Sequence, residues 1–410
     1  MKKINKKLKI LSITEGLNPT YFIRHFEPLS YLEKNEQIEL TTKYDTQIFL
    51  SDLLKNDVFI LNRTRNDLMT KFIQFANLHN KKIIYDIDDY ILKIPSYSKD
   101  ILTEQQKSNI LYALTFSHKI TVSTLHLKKI LSVFRKDITI IPNSINFNKY
   151  GAYNKRLNDL LGVNNFNIVI SLSDNFPLYK ANLKKFTELL SRIINKYPNV
   201  KIYNFSNIII DEDNNSIINK GLMDYSAHKL FLKEHPIHLA LNPIEIINNN
   251  KEKFINSKSE IKFIEYSSAK ILGIYSNSPI YNSVINNNKT GILLNNNFEL
   301  WENKISLIIK NYQKYWHMVE AAFKFTKNNY DVKNSANLLN KVIQNINKNQ
   351  IMLGNDAVKI KSQYLETLEL NNSILCYFIE YNRLGRLIKN IIQTVNKFKI
   401  IRYLIKTIFK

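Results

Sequence analysis

FINSKSEIKFIEYSSAKILGIYSNSPIY, residues 254–281, decides how this chain is read. Small and basic residues come first (Asn256, Ser257, Lys258, Ser259), followed by Ile261, Ile264 and Glu265 at helical spacing. Gly273, the apolar run Ile274-Tyr275-Ser276 and then Pro279 complete it. The pattern predicts a loop, a helix, a glycine stop, a strand and a proline-bearing loop. A helix entered through Ser-Lys-Ser presents unpaired backbone N–H groups and a positive dipole end beside a lysine, which suits a phosphate. Glu265 lies far enough along the helix to meet another part of the same ligand.

Working outward, the chain alternates strand and helix patterns. Leu8–Ile13, Asp57–Asn62, Lys81–Tyr90, Lys119–Val122 and Asp137–Ile145 form one series of apolar runs. Asn167–Leu172, Val200–Phe205, Pro236–Pro243 and Thr290–Leu294 form a second, with helical stretches such as Glu104–Phe116 and Leu183–Ile194 between runs. This order predicts parallel sheets covered by helices on both faces. Tyr150–Val163 is polar and reads as the linker between the two series, and Ile208–Ile218 reads as a surface excursion. Gly16 follows the first strand, where it is either a simple turn or a point of close ligand approach. The segment Tyr85 to Tyr90, YDIDDY, ends its strand in carboxylates. Asp86 and Asp88 match an Asp-x-Asp pattern that can share a divalent ion with phosphate oxygens. Alternatively Asp88 and Asp89 border a cleft, or the cluster caps the next helix.

The stretch 254–281 resembles bacterial retaining glycosyltransferases of the GT-B fold. That family carries Glu-x7-Glu on this helix, and a cell-surface polysaccharide subgroup reads F-N-x-S-K-S-x-I-K-x-x-E-Y followed by P-Y. Phe254, Asn256, Ser257, Lys258, Ser259, Ile261, Lys262, Glu265, Tyr266, Pro279 and Tyr281 carry the likeness. Y-D-I-D-D at the cleft, V-S-T before a helix, I-P-N-S-I at 141–145 and Thr290-Gly291 extend it. The resemblance implies an α/β protein with two Rossmann-like doubly wound domains and a helical C-terminal extension. The boundaries it suggests are 1–155 on the acceptor side, 156–330 for the nucleotide sugar, a closing helix at 331–346 and a basic tail at 347–410. It further implies that Glu265 binds the nucleotide ribose, while the first signature position falls on Ser257, a departure from the pattern. Ser257, Ser259, Lys262, Gly16 and Lys180 would line the donor, with Lys180 or Lys184 supplying the basic group of the first loop of the second domain. Lys258, Asp88 and Asp89 would act at the reacting centre. No cofactor or metal is expected beyond the nucleotide-diphosphate sugar donor, and retention of configuration follows from the resemblance alone.

Composition narrows the partners. The chain has 410 residues, 44 % hydrophobic, a formal charge of +23 and one cysteine, Cys376. No apolar run approaches a membrane span, so a soluble protein of a reducing cytoplasm is expected. Nucleic acid, anionic lipid and phosphate-bearing substrates all suit the charge, but no nucleic-acid-binding motif accompanies the scattered lysines. Between Arg386 and Lys410 there is no acidic residue, and Ile388, Ile391, Ile392, Val395, Phe398 and Ile401 fall at helical spacing. This stripe would either lie in an anionic membrane interface, on its inner face, or pack on the protein body. Taken together, the sequence predicts a transferase acting on a cell-envelope glycan or lipid-linked precursor. Two rivals are a metal-dependent GT-A-type enzyme using Asp86 and Asp88, and a non-catalytic sugar-nucleotide or membrane-binding scaffold.

Overall fold

A computed structural model describes residues 7–93, 101–172, 180–211, 214–245 and 256–346. The basic tail at 347–410 lies outside them. In the first half, β1 (Leu8–Thr14), β2 (Ile38–Tyr44), β3 (Val58–Asn62), β4 (Lys82–Ile87), β5 (Lys119–Val122) and β6 (Ile138–Ile140) pair in the order β2-β1-β3-β4-β5-β6. In the second, β7 (Phe166–Ile170), β8 (Val200–Asn204), β9 (Ile217–Asn219), β10 (Leu239–Asn242), β11 (Leu272–Ser276) and β12 (Ile292–Leu294) pair in the order β12-β11-β10-β7-β8-β9. Every pairing is parallel. Central strands such as VFILN and FNIVI are buried along their whole length, as parallel strands covered on both faces must be. Chain direction across each sheet reverses beside β1 in the first and β7 in the second. Loops leaving the strand ends at these points diverge and open a crevice.

Two local expectations change. The helix of the decisive stretch spans Ile261–Ser268, with Glu260 at its N-cap, so it begins after Ser257-Lys258-Ser259 and not within them. Its stop is Lys270, at φ 53°. Gly273 instead sits inside β11 opposite Ala240, where a Cβ would collide with the Tyr275 ring folded back along the same face. The supposed surface excursion also contributes the edge strand β9.

After β1 the chain is helical from Pro19 to Lys34, interrupted by a π-helical segment at Phe22–Phe26. Pro28, two residues on, lacks an N–H and would crowd the carbonyl one turn back in a regular helix, which suits a widened turn here. The same turn carries Arg24 and His25 into the interior.

The chain crosses between the halves twice. Ile145 donates its N–H to the Tyr330 carbonyl at 2.9 Å and accepts from Val332 N–H at 2.9 Å, so the crossings are bonded side by side. Helix Val332–Asn345 then returns to the first sheet, burying Ala336, Leu339, Val342 and Ile343 with Ile10, Leu29 and Ile38. Just beyond the first crossing, Lys155 Nζ donates to the carbonyls of Leu232 (3.0 Å), His235 (3.1 Å) and Ala269 (2.9 Å). These are the C-terminal ends of helices Tyr225–Glu234 and Ile261–Ser268, which favour a cation, although burial, with Lys270 nearby, pushes Lys155 down to about 7.

Candidate active site

The strand ends of the two sheets face a cleft of about 320 Å³. Pro19, Thr20, Asp88 and Asp89 line it from the first half; Ser171, Asn242, Lys229, Lys258, Ser259, Lys262, Glu265 and Tyr281 line it from the second.

The acidic wall is built by β4. Asp86, on the strand itself, is buried and takes Arg24 Nε at 3.0 Å on Oδ2 and Arg24 Nη2 at 2.5 Å on Oδ1. Thr121 donates to Oδ1 at 2.6 Å. Burial alone would raise this carboxyl, but Arg24 outweighs it and holds Asp86 well below the usual carboxylate range. Both Asp86 oxygens are engaged, Oδ1 by Arg24 and Thr121 and Oδ2 by Arg24. The two-sheet architecture is that of GT-B, which removes the fold of the GT-A-type alternative. Asp88 and Asp89 turn the other way. Thr20 Oγ1 donates to Asp88 Oδ2 at 3.2 Å, and Arg63 Nη1 stands 3.2 Å from Asp88 Oδ1 and 3.6 Å from Asp89 Oδ2. Burial pushes the Asp88 carboxyl up despite Arg63, with Asp89 adding to the rise. Arg63 itself has φ 49°, an uncommon conformation for a residue with a side chain.

The basic wall comes from the decisive stretch and one helix before it. Lys258 Nζ lies 3.7 Å from Asp89 Oδ2, bridging the two halves, and burial lowers its pKa against the pull of Asp89. Ser257 is fully buried; its Oγ accepts from Tyr90 N–H at 3.1 Å. Ser259 Oγ accepts from Asn143 Nδ2 at 2.7 Å. Both serine side chains are thus engaged with the first half. Glu265 is buried between two lysines: Lys229 on Oε1, and Lys262 on Oε2 at 3.0 Å. Burial favours the neutral acid, yet Lys229 and Lys262 together hold Glu265 well below the usual carboxylate range. Next to Lys229, His228 is pushed down to about 3 by burial and stays neutral, with Nε2 3.3 Å from Ser171 Oγ.

The other residues singled out in the sequence lie as follows. Gly16 sits in the loop after β1, its N–H bonded to Thr14 Oγ1 at 3.2 Å, with open space where a Cβ would be. Lys180 is the first residue of helix Lys180–Lys196, and its side chain is outside the described set; Lys184 is exposed. Sequence reasoning passed over Arg24, Thr20, Lys229 and His228. For Lys229 a signal existed: it shares an apolar helix face with Tyr225 and Leu232. Among the described residues no group of three or more His, Cys, Asp or Glu could hold a metal ion, and no helix is long and apolar enough to cross a membrane.

Two Rossmann-like sheets whose strand ends face a common cleft, closed by a helix that returns to the first sheet, define the GT-B fold. The chain has that fold. Its solved structural relatives include the Anabaena protein HepE in complex with UDP and glucose, at TM-score 0.57 and 13 % identity over 82 % of this chain and 99 % of that one. A glycosyltransferase from Rickettsia africae aligns at 0.56 and 15 % identity, over 84 % and 100 %. Sucrose-phosphate synthase from Thermosynechococcus elongatus aligns at 0.55 and 10 %, over 83 % and 99 %. No protein-family model and no curated protein sequence matches the chain. A Listeria monocytogenes protein assigned as a UDP-N-acetylglucosamine 2-epimerase shares the fold at 0.55 and 12 % identity, so the chemistry has to be read from the cleft.

Proposed function

We propose that this chain is a glycosyltransferase that moves a sugar from a nucleotide-diphosphate sugar to a cell-envelope glycan or its lipid-linked precursor, with retention and without a metal. One observation carries the reading: Glu265, with Lys229, Lys262 and Lys258 on the same wall, faces Asp88 and Asp89 across a single cleft. Glu265 is a carboxylate at neutral pH and suits ribose hydroxyls, which donate strong charge-assisted hydrogen bonds to such an acceptor. As the anomeric C–O bond breaks, positive charge grows on the sugar ring and negative charge on the leaving diphosphate. Lys258 and Lys262 supply cations on the diphosphate side, where they gain most in the transition state. Asp88 and Asp89 offer acceptor oxygens for the incoming hydroxyl on the opposite wall. The UDP- and UDP-glucose-bound forms of HepE support trying a UDP-sugar first.

Thermal shift across UDP-, GDP-, ADP- and CMP-sugars tests the donor class, because a specific binder raises the melting temperature by mass action. Transfer in excess chelator then tests the chemistry. Stabilisation by no donor, or donor turnover abolished by chelator, would overturn the proposal; binding with neither hydrolysis nor transfer would return the scaffold reading.

A further inference from the structure

Glu265 is held by two cations where charge balance needs one. Lys229 donates to Oε1 from helix Tyr225–Glu234, and Lys262 donates to Oε2 from one turn earlier on the helix of Glu265 itself. The lysines differ in almost every other respect. The Lys229 side chain is 4 % exposed, and its ammonium lies 4.7 Å from the centre of the Tyr225 ring. The Lys262 side chain is 25 % exposed. A carboxylate and one ammonium already compensate each other in a buried setting. The surplus charge therefore rests on the one side chain of the three that reaches solvent.

We propose that the two lysines have separate tasks at the donor site. Lys229 is a positioning residue that fixes Glu265 as an ionised acceptor, and Lys262 is an exchangeable cation that leaves Glu265 for the phosphate of the donor. The proposal rests on the reading of Glu265 as the ribose ligand and adds how its oxygen becomes available. When phosphate draws Lys262 away, Oε2 is released for a ribose hydroxyl, while Lys229 keeps the buried charge compensated. A nucleoside without phosphate has to displace Lys262 unaided. Removing the Lys262 ammonium should consequently help a nucleoside and harm a nucleoside diphosphate, opposite signs from one substitution.

The same arrangement gives Lys229 a signature in pH. Facing Glu265 are Lys229, His228 and Tyr225 from the neighbouring helix, Lys262 and Tyr266 from its own, and Tyr275 and Tyr281 from β11 and the turn beyond it. The tyrosines carry no positive charge, so Lys229 first, then Lys262, with a smaller contribution from His228, oppose the burial that favours protonation. With Lys229 gone and Lys262 drawn to phosphate, Glu265 takes up a proton as pH falls and loses an acceptor oxygen.

Calorimetry on the full chain with UDP, GDP, ADP and CDP and their nucleosides tests this, using Lys262→Met, Lys229→Met, Lys229→Arg and Glu265→Gln. Lys262→Met should lower nucleoside-diphosphate affinity roughly ten- to a hundredfold, the worth of one charged hydrogen bond. Its nucleoside affinity should equal or exceed that of the wild type. Lys229→Met should make diphosphate affinity fall between pH 8 and pH 5 more steeply than in the wild type, and Lys229→Arg should restore the wild-type profile. A purely structural lysine would change the folded fraction without adding that slope. If Lys262→Met weakens nucleoside and diphosphate equally, the exchange is wrong, whether or not Lys229→Met folds. If folded Lys229→Met keeps the wild-type pH profile, the positioning role is wrong. Unchanged nucleoside and diphosphate affinity in Glu265→Gln would instead remove the ribose reading beneath both, and failure of all four diphosphates to bind would remove the donor site altogether.

Discussion

Asp86→Asn should destabilise the protein by about 3–5 kcal/mol, the usual consequence of removing one partner of a buried ion pair. The substitution keeps the shape of the side chain and removes its charge. Arg24, 4 % exposed, would lose the compensating charge behind its bonds from Nε at 3.0 Å and Nη2 at 2.5 Å. Its remaining contacts, the Ile141 carbonyl and Asn143 Oδ1 at 3.3 Å, are uncharged. An asparagine can also accept on only one atom, so either the guanidinium or Thr121 loses a partner. Asp88→Asn is the control. Burial and like charges already press Asp88 toward its neutral form, so the amide should change stability by no more than about 1 kcal/mol. Urea unfolding of both variants at pH 8, with and without added magnesium, gives the comparison. Because the folded pKa of Asp86 lies below its unfolded value, its contribution is present above about pH 4 and is lost as pH falls through the folded value, so the penalty should be equal at pH 8 and pH 6. Equal stability of Asp86→Asn and wild type, or a penalty that appears only with magnesium, would refute this account and revive a ligand role for Asp86.

Lys258→Ala should reduce turnover more than it weakens nucleoside binding, because a cation beside the leaving group acts on developing charge; steady-state kinetics with calorimetry decides, and unchanged turnover in a folded variant would remove Lys258 from the chemistry. His238 is pushed down to about 4 by burial, so the unfolded chain binds its proton first as pH falls below about 6.5, and stability should drop by about 1.4 kcal/mol per pH unit on its account. Glu27, pushed up to about 7 by burial, works in the opposite direction between about pH 7 and 4.5, so the test is the loss of one histidine's slope in His238→Asn, measured by urea unfolding from pH 7 to 5. Removal of 347–410 should abolish binding to anionic liposomes at low salt while the rest stays folded; a truncated protein that aggregates, with an intact one that ignores liposomes, would make the tail structural.

Much of the fold is written locally. Thr103 and Gln106 cap helix Glu104–Phe116 reciprocally, Thr124 caps the helix after β5, and apolar runs bounded by turn residues mark β3, β4 and β7. The strand β2, IELTTKY, is harder to see because it is an edge strand with polar residues interleaved. The site is legible only where side chains act alone. Asp88, Asp89, Lys258, Lys262 and Glu265 all line the cleft that their order along the chain suggests. Their partners are not legible, since those come from distant sequence: Lys229 lies 36 residues from Glu265, Arg24 lies 62 from Asp86, and Tyr90 lies 167 from Ser257. The hydroxyls of Ser257 and Ser259 are also invisible as contacts in the sequence, because both are bonded to the first half, to Tyr90 and Asn143.

The paired crossings at Ile145 and Tyr330–Val332 set the kinematics of the cleft. Two adjacent backbones joined by main-chain bonds behave as two pins on one jamb. Twisting or splaying the halves would pull the pins apart and break both bonds, whereas rotation about the line through them breaks neither. Lys155 shortens the jamb further by anchoring the chain to the second half a few residues after it arrives. A rotation of one half against the other that keeps both crossing bonds is therefore confined to the line through them.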